Sequence, residues 1–527
     1  MVPPPSTSRG PLLILNADTP WGASAARALS AVGRPIALAS RPGPEGEATV
    51  ELVRRAGADP TPLSWNPLRP LDFLPGLTEW IREVGPVSAL VGMPPRIVPD
   101  DLFSISPEGL AAFTHGTISL PALAAWAVLP GQIQAARGRV MLASLGLDRD
   151  PPPRAVLGAT AAGTLRGFAI ALDREVRRSG IEVTFLEVLP EAPGDGSLGP
   201  PEDRLGEEIR RALETVGGHG TVRKVRVPGS ASKGSPDHAP AGSIPGSWGA
   251  MGKDAPRGRV LVITGASRGI GRAEAIHLAR PGDLLVLTAR DEEALQETAG
   301  EVRHRGAEAI PLAMDLRAVG ATRELARIVR ERAGPPQILS LNAGVTYAFR
   351  LPRLTPQEIL EQVEVDLLSV LGLGRELLPP MMGRPEGRLL ITGSAIAEVP
   401  LPRMVPYAGV KSGLRALGRA LDHAMGPGGP RVTVLEPIVA RTDLLTRATR
   451  GGPWDTRRIL NGWTISADTV GRYAQRAVLH PRPVMVVPSA AGLLLGMARA
   501  LGPLLEPRLR IPPPRASPRA APSGSPL

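Results

Sequence analysis

The chain repeats itself at one constant spacing, and this repeat limits its architecture more than any other feature. Identical residues recur 249 positions apart, from the first predicted strand to the last. Two unrelated domains would not keep identical residues in phase over so long a span, so the sequence predicts one domain present twice. The matched residues are Gly22 and Gly271, Arg41 and Arg290, Gly57-Ala58 and Gly306-Ala307, Gly85-Pro86 and Gly334-Pro335, Gly138-Arg139 and Gly387-Arg388, Asp173 and Asp422, Thr184 and Thr433, and Glu187 and Glu436.

Both copies alternate short apolar segments with segments of helix length. Such alternation is typical of a parallel sheet covered by helices on both faces. The predicted fold class is α/β, with two doubly wound parallel-sheet Rossmann-like domains in tandem. The predicted strands of the first copy are 12–15, 35–39, 87–91, 139–143 and 182–186.

The domain boundaries follow from changes in composition. The chain of 527 residues contains 60 Gly and 59 Pro, which predicts extended linkers or tails. A stretch rich in Gly, Pro and Ser separates the copies, and most of it is predicted to be a flexible linker, with a short helix open as an alternative at 201–216. The predicted organisation is a disordered leader (1–10), a first domain (11–190), a linker (191–256), a second domain (257–488), an apolar helix (489–510) and a disordered tail (511–527).

Composition excludes several classes of function. The absence of Cys excludes disulfides, thiolate metal sites and Cys nucleophiles. The net charge of +11 comes from scattered Arg, and aromatic residues make up 3%, so no stacking platform for nucleic acid is expected. No metal site is predicted. The apolar stretches 117–136 and 484–498 are interrupted by proline or too short to span a bilayer, so we predict a cytoplasmic protein without membrane association.

A glycine-rich turn opens the second copy. The predicted strand 259–264 is followed by Gly265-Ala-Ser267-Arg268-Gly269-Ile270-Gly271, where a helix is expected to begin. Glycines let the backbone approach a pyrophosphate, whose charge is favoured at a helix N-terminus. The next strand ends at Arg290, where NAD sites carry an acidic residue. Arg268 and Arg290 together suit a ribose 2′-phosphate, so the expected cofactor is NADP(H).

Scarce residues mark a candidate proton donor. The chain has three Tyr, and Lys411 is its only Lys after position 253. Tyr407 and Lys411 are four residues apart and share one face of a helix. A neighbouring ammonium lowers the pKa of a phenol, which suits proton transfer to a developing alkoxide. We therefore predict Tyr407 as general acid/base, Lys411 as its cation and ribose anchor, and Ser394 as the residue that orients a substrate carbonyl.

These motifs, in this order, resemble the short-chain dehydrogenase/reductase family over about 230 residues. The resemblance is carried by Thr264 to Gly271, Asn342-Ala343-Gly344, Ser394 and Tyr407-Ala-Gly-Val-Lys411. It implies that Asp315 hydrogen-bonds the adenine, and that Asn342, Ala343 and Gly344 line the cofactor side of the sheet. It also implies that Pro437 and Thr442 lie near the nicotinamide amide.

Two positions depart from the family pattern. Asp366 stands where relatives carry an Asn that supports a water-linked proton relay, and Ile438 replaces the Gly that follows Pro437. Asp366 is kept as a candidate catalytic residue that binds water. The segment 438–470 contains Trp454 and Trp463 and predicts an apolar or medium-sized substrate.

The first copy lacks this chemistry. Subtracting 249 from Ser394, Tyr407 and Lys411 gives Leu145, Gly158 and Ala162, so residues 11–190 are predicted to be non-catalytic and without cofactor. The resemblance implies pairing through two long helices, here 107–129 and 159–178 against 356–378 and 408–425. We predict an intramolecular pseudo-dimer, with further homo-dimerisation left open.

The predicted function is interconversion of a ketone and a secondary alcohol with NADP(H). A non-catalytic domain before a catalytic one is also similar to polyketide ketoreductases and β-ketoacyl reductases, which makes a 3-oxoacyl substrate plausible by analogy. Two alternatives stay open. One is a catalytically weak NADP-binding scaffold or sensor, and the other is a membrane-surface or interaction protein that uses segment 489–509.

Overall fold

A computed structural model describes residues 10–30, 34–95, 102–148, 151, 155–191, 201–214, 221–228, 258–318, 320–441 and 464–492. These residues form two seven-stranded parallel sheets with helices on both faces. The strand order is β3-β2-β1-β4-β5-β6-β7 in the first sheet and β10-β9-β8-β11-β12-β13-β16 in the second. The predicted fold class of two Rossmann-like domains in tandem is confirmed.

The first sheet contains strands β1 to β7, and each predicted strand is found within two residues of its expected start. Strand β3 was not predicted, because Pro60-Thr-Pro-Leu-Ser64 has little apolar character. The strands are Leu12–Leu15, Ile36–Ser40, Pro60–Ser64, Ala89–Gly92, Gly138–Leu145, Ile181–Glu191 and Thr221–Pro228. The helices α1 to α7 are Pro20–Leu29, Pro44–Arg55, Phe73–Val84, Pro107–Thr114, Leu120–Gln134, Val156–Val176 and Pro201–Glu214.

The second domain repeats this arrangement and adds a small two-stranded sheet of β14 and β15. Strands β8 to β16 are Val260–Thr264, Leu284–Ala289, Glu308–Ala313, Ile338–Leu341, Arg388–Thr392, Arg431–Pro437, Val439–Arg441, Thr464–Ser466 and Val484–Val487. Helices α8 to α14 are Gly269–Leu278, Glu292–His304, Ala321–Arg332, Pro356–Val363, Ser369–Leu377, Val405–Met425 and Ala467–Leu479. Of the predicted apolar helix 489–510, the described residues include only its start at 489–492.

The two sheets share one register at the spacing found in the sequence. Leu12 pairs with Ile36 in the first sheet, and Leu261 pairs with Leu285 in the second. Both partners of the second pair lie 249 positions after those of the first. The π-helical turns His115–Ser119 and Glu364–Leu368, which join α4 to α5 and α11 to α12, obey the same spacing. The sequence repeat is therefore also a repeat of backbone structure.

Two segments of the predicted linker at 191–256 are structured. Helix α7 is the alternative left open for 201–216, whereas strand β7 contradicts the prediction of a flexible linker. Helix α7 packs on α1, and strand β7 adds to the edge of the first sheet in parallel with β6. The sequence Thr-Val-Arg-Lys-Val-Arg-Val contains several β-branched residues, which favour a strand, but the linker composition on either side concealed this signal. The first domain accordingly extends to residue 228 rather than 190.

The two halves pack along α6 and α13. At Gly413 an added Cβ would lie only 2.0 Å from Oγ1 of Thr164, so the helices approach closely. Thr164 and Gly413 are equivalent residues of the two halves, and equivalent residues meet at the axis of a two-fold arrangement. One continuous apolar core extends across this contact from the first sheet to the second.

Hydrogen bonds cross the contact in both directions, and four of them form two pairs related by 249 positions. This is the pattern of an isologous interface, in which each side presents the same surface. In one matched pair, Nη1 of Arg174 donates to Pro400 O at 2.5 Å and Nδ1 of His423 lies 3.2 Å from Pro151 O. In the other, Nε1 of Trp126 donates to Leu354 O at 2.7 Å and Nε of Arg375 donates to Ile105 O at 2.6 Å.

One helical stretch of this interface has the composition of a membrane span. Pro107–Gln134 is long and apolar enough to cross a bilayer, yet 83% of its apolar window is buried inside the protein. A core helix between two packed domains meets the same criteria, so its composition is explained by burial between the halves.

Candidate active site

A cavity of about 820 Å³ opens at the carboxyl edge of the second sheet. Ligands of open parallel sheets bind at this edge, beyond the ends of the strands. Gly271 lies beneath the lining rather than in it, and Thr442 lies outside the described residues. The other predicted site residues all line the cavity: Gly265, Ser267, Arg268, Gly269, Ile270, Arg290, Asp315, Asn342, Ala343, Gly344, Asp366, Ser394, Tyr407, Lys411 and Pro437.

The glycine-rich turn is shaped by close backbone approach. Gly265 and Gly269 have φ values of +67° and +57°, in the region that favours glycine. A Cβ on Gly265 would lie 2.9 Å from Cα of Ala343. The hydroxyl of Thr264 accepts hydrogen bonds from the backbone N–H groups of Asn342 (2.9 Å) and Ala343. The turn and the Asn342 motif are thereby held as one surface.

This surface fits the pyrophosphate of a dinucleotide. Helix α8 begins at Gly269, directly behind the turn, and its first N–H groups have no carbonyl partner within the helix. The side chain of the N-cap residue, Arg268, makes no capping hydrogen bond. The helix N-terminus and the Arg268 guanidinium therefore both present positive charge toward the cavity.

Each predicted phosphate-binding arginine has an acidic neighbour that the sequence interpretation missed. Arg268 contacts Asp291 at 2.5 Å, and Arg290 contacts Glu361 at 3.1 Å. The Arg268 and Arg290 side chains remain 36% and 50% exposed, so both guanidinium groups are accessible from the cavity. Asp291 follows Arg290 directly, and its N-cap position at α9 was the signal available in the sequence.

The predicted adenine-binding carboxylate is held by a neighbouring cation. Arg317 contacts Asp315 at 2.6 Å, and this hydrogen bond lowers the pKa of Asp315. Asp315 is thus ionised at neutral pH and lines the same end of the cavity as Arg290.

Three of the four predicted catalytic side chains converge at the opposite end of the cavity. Ser394 follows β12, and Tyr407 and Lys411 lie one turn apart on α13. Nζ of Lys411 is 5.4 Å from the centroid of the Tyr407 ring and donates to Thr392 O at 3.1 Å. The Ser394 hydroxyl lies close enough to the Tyr407 phenol to lower its pKa. The chain thus places a hydroxyl, a phenol and an ammonium around one point.

Electrostatics at Tyr407 differ from the sequence-based expectation. Burial raises the pKa of Tyr407 above its ordinary value. The charge of Lys411 and a hydrogen bond with Ser394 lower this pKa, whereas the charge of Asp366 raises it. The predicted lowering by Lys411 is a real contribution, but burial outweighs it in this structure. Burial also lowers the pKa of Lys411, but its attraction to Asp366 and Tyr407 leaves that pKa raised, so the ammonium stays charged.

Asp366 contributes to this balance through its place in the fold. It lies in the π-helical turn Glu364–Leu368 and is fully buried. One carboxylate oxygen forms an ion pair with Nζ of Lys411 at 3.1 Å, and the other accepts from Val345 N at 2.7 Å. Apart from this ion pair, Oδ2 has no hydrogen-bond partner among the described residues, so the water-binding role predicted for Asp366 stays a prediction.

Apolar side chains complete the substrate end of the cavity. Ile438 is fixed by a hydrogen bond from its backbone N–H to Val487 O at 3.0 Å, and it lines the cavity together with Val439. Sequence interpretation missed a further set in two loops, because loop residues carry no periodic pattern. Those residues are Thr346, Tyr347, Ala348, Val399, Leu401 and Met404. Residues 442–463 of the predicted substrate segment 438–470, including Trp454 and Trp463, lie outside the described residues.

Comparison with known proteins gives the same assignment for this half. The family model described as short chain dehydrogenase matches residues 259–451. Estradiol 17-beta-dehydrogenase 11 of Mus musculus is 29% identical over 251 residues, which are 47% of this chain and 81% of that protein. The 3-oxoacyl-[acyl-carrier-protein] reductase FabG of Pseudomonas aeruginosa is 30% identical over 188 residues, covering 36% of this chain and 76% of the relative. The corresponding reductase of Escherichia coli is 31% identical over 191 residues, with shares of 36% and 77%. Through its second half, the chain belongs to the short-chain dehydrogenase/reductase family of oxidoreductases.

Proposed function

We propose that the second half is an NADPH-dependent reductase that interconverts a ketone and a secondary alcohol. The observation that carries this proposal is the convergence of Ser394, Tyr407 and Lys411 in one cavity with the glycine-rich turn. A cavity with a dinucleotide-binding end and a proton-donating end suits hydride transfer coupled to proton transfer.

The roles of the side chains follow from their chemistry. The bound nicotinamide cofactor supplies the hydride. Ser394 donates a hydrogen bond that orients the substrate carbonyl, and Tyr407 gives its phenolic proton to the oxygen as negative charge develops there. Lys411 remains charged and stabilises the phenolate that is left. Its bond to Thr392 O and its ion pair with Asp366 fix the ammonium in place.

The proposed preference for NADPH rests on Arg268 and Arg290. Both guanidinium groups stand at the end of the cavity where the resemblance places the adenosine ribose, and neither is buried. Planar guanidinium groups bind phosphate oxygens through paired, charge-assisted hydrogen bonds. Asp291 and Glu361 hold these groups in position, so we expect the phosphate to bind arginines that are already oriented.

The proposed substrate is an apolar carbonyl compound. The lining of the substrate end is dominated by aliphatic side chains, including Val399, Met404 and Ile438. The relatives include a 3-oxoacyl-[acyl-carrier-protein] reductase and an estradiol 17-beta-dehydrogenase. We include a 3-oxoacyl substrate in the proposal on that basis.

For the first half we propose the role of a built-in partner without catalytic activity or cofactor, forming a pseudo-dimer with the second. The contact along α6 and α13 supports this role, because tethering two complementary faces raises their effective concentration. A cytoplasmic location remains a prediction from the sequence.

The decisive experiment compares the full-length wild type with Tyr407→Phe. Titration with NADPH and NADH is followed by a screen of apolar ketones and 3-oxoacyl thioesters. We expect both proteins to bind NADPH more tightly than NADH, and Tyr407→Phe to lose about 10²–10⁴-fold in kcat/KM. Tyr473→Phe is the matched control, because Tyr473 bonds Ser489 N at 3.1 Å and does not line the cavity. Equal turnover by Tyr407→Phe and wild type would refute the role of Tyr407.

A second candidate is a catalytically weak NADP-binding scaffold or sensor. The ion pair between Asp366 and Lys411 favours it, because the carboxylate offsets the positive charge that a phenolate needs. Tight NADPH binding by the wild type without turnover of any carbonyl compound in the screen would select this candidate.

A further inference from the structure

One carboxylate of the first half reaches into the second half and binds two loops at once. Glu175 lies at the end of α6 and is 8% exposed. Its Oε1 accepts a hydrogen bond from Leu351 N at 2.7 Å, and its Oε2 accepts one from Arg403 N at 2.8 Å. Burial raises the pKa of Glu175, whereas the two backbone N–H groups and the charges of Arg350 and Arg403 lower it.

Both loops border the substrate end of the cavity. The first follows Asn342-Ala-Gly344 and brings Tyr347 and Ala348 to the lining just before Leu351. The second joins Ser394 to helix α13 and brings Val399, Leu401 and Met404 to the lining on either side of Arg403. The two amides bonded to Glu175, those of Leu351 and Arg403, are 52 positions apart in the sequence. By binding both, Glu175 holds the two loops at a fixed distance from each other.

The bonded amide at Arg403 belongs to a strained residue. Arg403 has φ of +66°, a backbone region that non-glycine residues seldom adopt. Such conformations persist where the surrounding contacts impose them. The bond from its N–H to Glu175 is one such contact, and the neighbouring bond from Arg174 to Pro400 O is another.

The pairing of the halves does not require this carboxylate. The residue equivalent to Glu175 in the second half is Ala424, whereas the adjacent contact of Arg174 has its counterpart in His423. The matched contacts are thus made by both halves, whereas the hydrogen bonds of Glu175 go only to loops of the second half and have no counterpart in the first.

We infer that Glu175 is a positioning residue through which the first half sets the shape of the substrate end of the cavity. This inference rests on the proposed reductase function. Because the two loops contact substrate in both the ground state and the transition state, their loosening weakens binding without slowing the chemical step.

The test uses full-length wild type, Glu175→Gln and the control His423→Leu. Gln offers one acceptor oxygen and turns an amide donor toward the other N–H, so one loop loses its bond. His423→Leu removes an interface contact whose acceptor, Pro151 O, belongs to the first half. If Glu175→Gln does not fold, Glu175→Asp replaces it, because the shorter side chain reaches one amide at most and the same measurements apply. Hydrogen exchange is followed at 347–354 and 399–404, together with KM, kcat and the Kd of NADPH.

We expect Glu175→Gln to speed exchange in at least one of the two loops about tenfold and to raise KM for the ketone about tenfold, which is the loss of one hydrogen bond. We expect kcat and the Kd of NADPH to stay within about twofold of wild type. Exchange unchanged in both loops, or an equal effect of His423→Leu, would overturn the inference. An exchange difference without turnover by the wild type would refute the reductase proposal alone, and turnover without an exchange difference would refute the role of Glu175 alone.

Discussion

Helices α6 and α13 have the same length, 21 residues, and the same place in their domains, but they differ on one face. The faces that meet at the interface use small residues in both helices, and Gly163 and Gly413 each allow close approach to the other helix. The face of α13 that lines the cavity carries Tyr407 and Lys411, and the same positions of α6 are Gly158 and Ala162. Packing positions have thus been retained in both copies, and chemically active positions in one.

The glycine-rich turn of the second half and the corresponding turn of the first half, residues 16–22, show the same division. Gly22 and Gly271 remain in both copies because a Cβ would lie 2.1 Å from Asn16 O in one and 2.3 Å from Gly265 O in the other. Asn16 replaces Gly265, keeps a left-handed backbone at φ +54°, and donates its side-chain amide to Met93 O at 2.7 Å. Asn tolerates this conformation better than most residues. The glycine at the start of the helix is the same in both copies, whereas the left-handed position after the first strand is Gly265 in one copy and Asn16 in the other.

The strongest test of this comparison replaces Lys411, the proposed catalytic cation of the second half, with the residue found at the same position of the first half. Lys411→Ala reproduces Ala162 and removes the charge beside Tyr407. We expect kcat/KM to fall about 10²–10⁴-fold, because the phenolate that forms during reduction loses its stabilising ammonium. The variant also leaves Asp366 as an unpaired buried carboxylate, which is expected to lower the free energy of unfolding by about 3–5 kcal/mol.

The double variant Lys411→Ala/Asp366→Asn separates catalysis from stability. Removing the second charge should restore most of the lost free energy of unfolding, measured by urea denaturation, and leave the rate low. If the double variant recovered the wild-type rate, Lys411 would serve only to neutralise Asp366, and our assignment of its role in catalysis would be wrong.

The second prediction concerns the arginine that both copies retain. Arg41 is held by Asp18 at 2.7 Å, and Asp18 occupies the position of Ser267 in the glycine-rich turn. Arg290 instead contacts Glu361, from outside the turn, and stays half exposed. We expect Arg290→Ala to raise the Kd of NADPH about 10–100-fold and to leave the Kd of NADH nearly unchanged, because only NADPH carries the 2′-phosphate.

Arg41→Ala is the matched control and should change neither Kd, as measured by fluorescence titration. Equal weakening of both nucleotides by Arg290→Ala would mean that Arg290 supports the site through Glu361 rather than by binding phosphate.

The sequence was sufficient for the repeat, the fold class and the position of the cavity, because each depends on local signals. Strand and helix periodicity, glycine spacing and the scarcity of Tyr and Lys are all readable without contacts between distant residues. Other contacts join residues that are 45 or more positions apart, and no periodic pattern in the sequence predicts them. Examples are the ion pair between Asp366 and Lys411 and the hydrogen bonds of Glu175. Strand β7 was missed for a related reason, because its Arg and Lys residues resemble linker composition until the sheet edge supplies a partner.

The prediction with the smallest expected effect concerns the contact face between helices α6 and α13. Gly413→Ala places a Cβ against Oγ1 of Thr164, and that hydroxyl already donates to Thr160 O at 2.8 Å, so it cannot turn aside without losing this bond. We expect the free energy of unfolding to fall by about 1–3 kcal/mol, the usual cost of an added methyl group in a full core. Catalysis should change little, because Gly413 does not line the cavity.

Gly300→Ala supplies the control within the same chain. Gly300 is also helical, but no atom lies within 4 Å of its added Cβ, so the substitution should raise stability by about 0.5–1 kcal/mol through helix propensity alone. Opposite signs for the two variants in urea denaturation indicate that Gly413 is kept for contact between the halves. If Gly413→Ala also raised stability, α6 and α13 would not be packed in solution, and the conservation of small residues in both helices would need another cause.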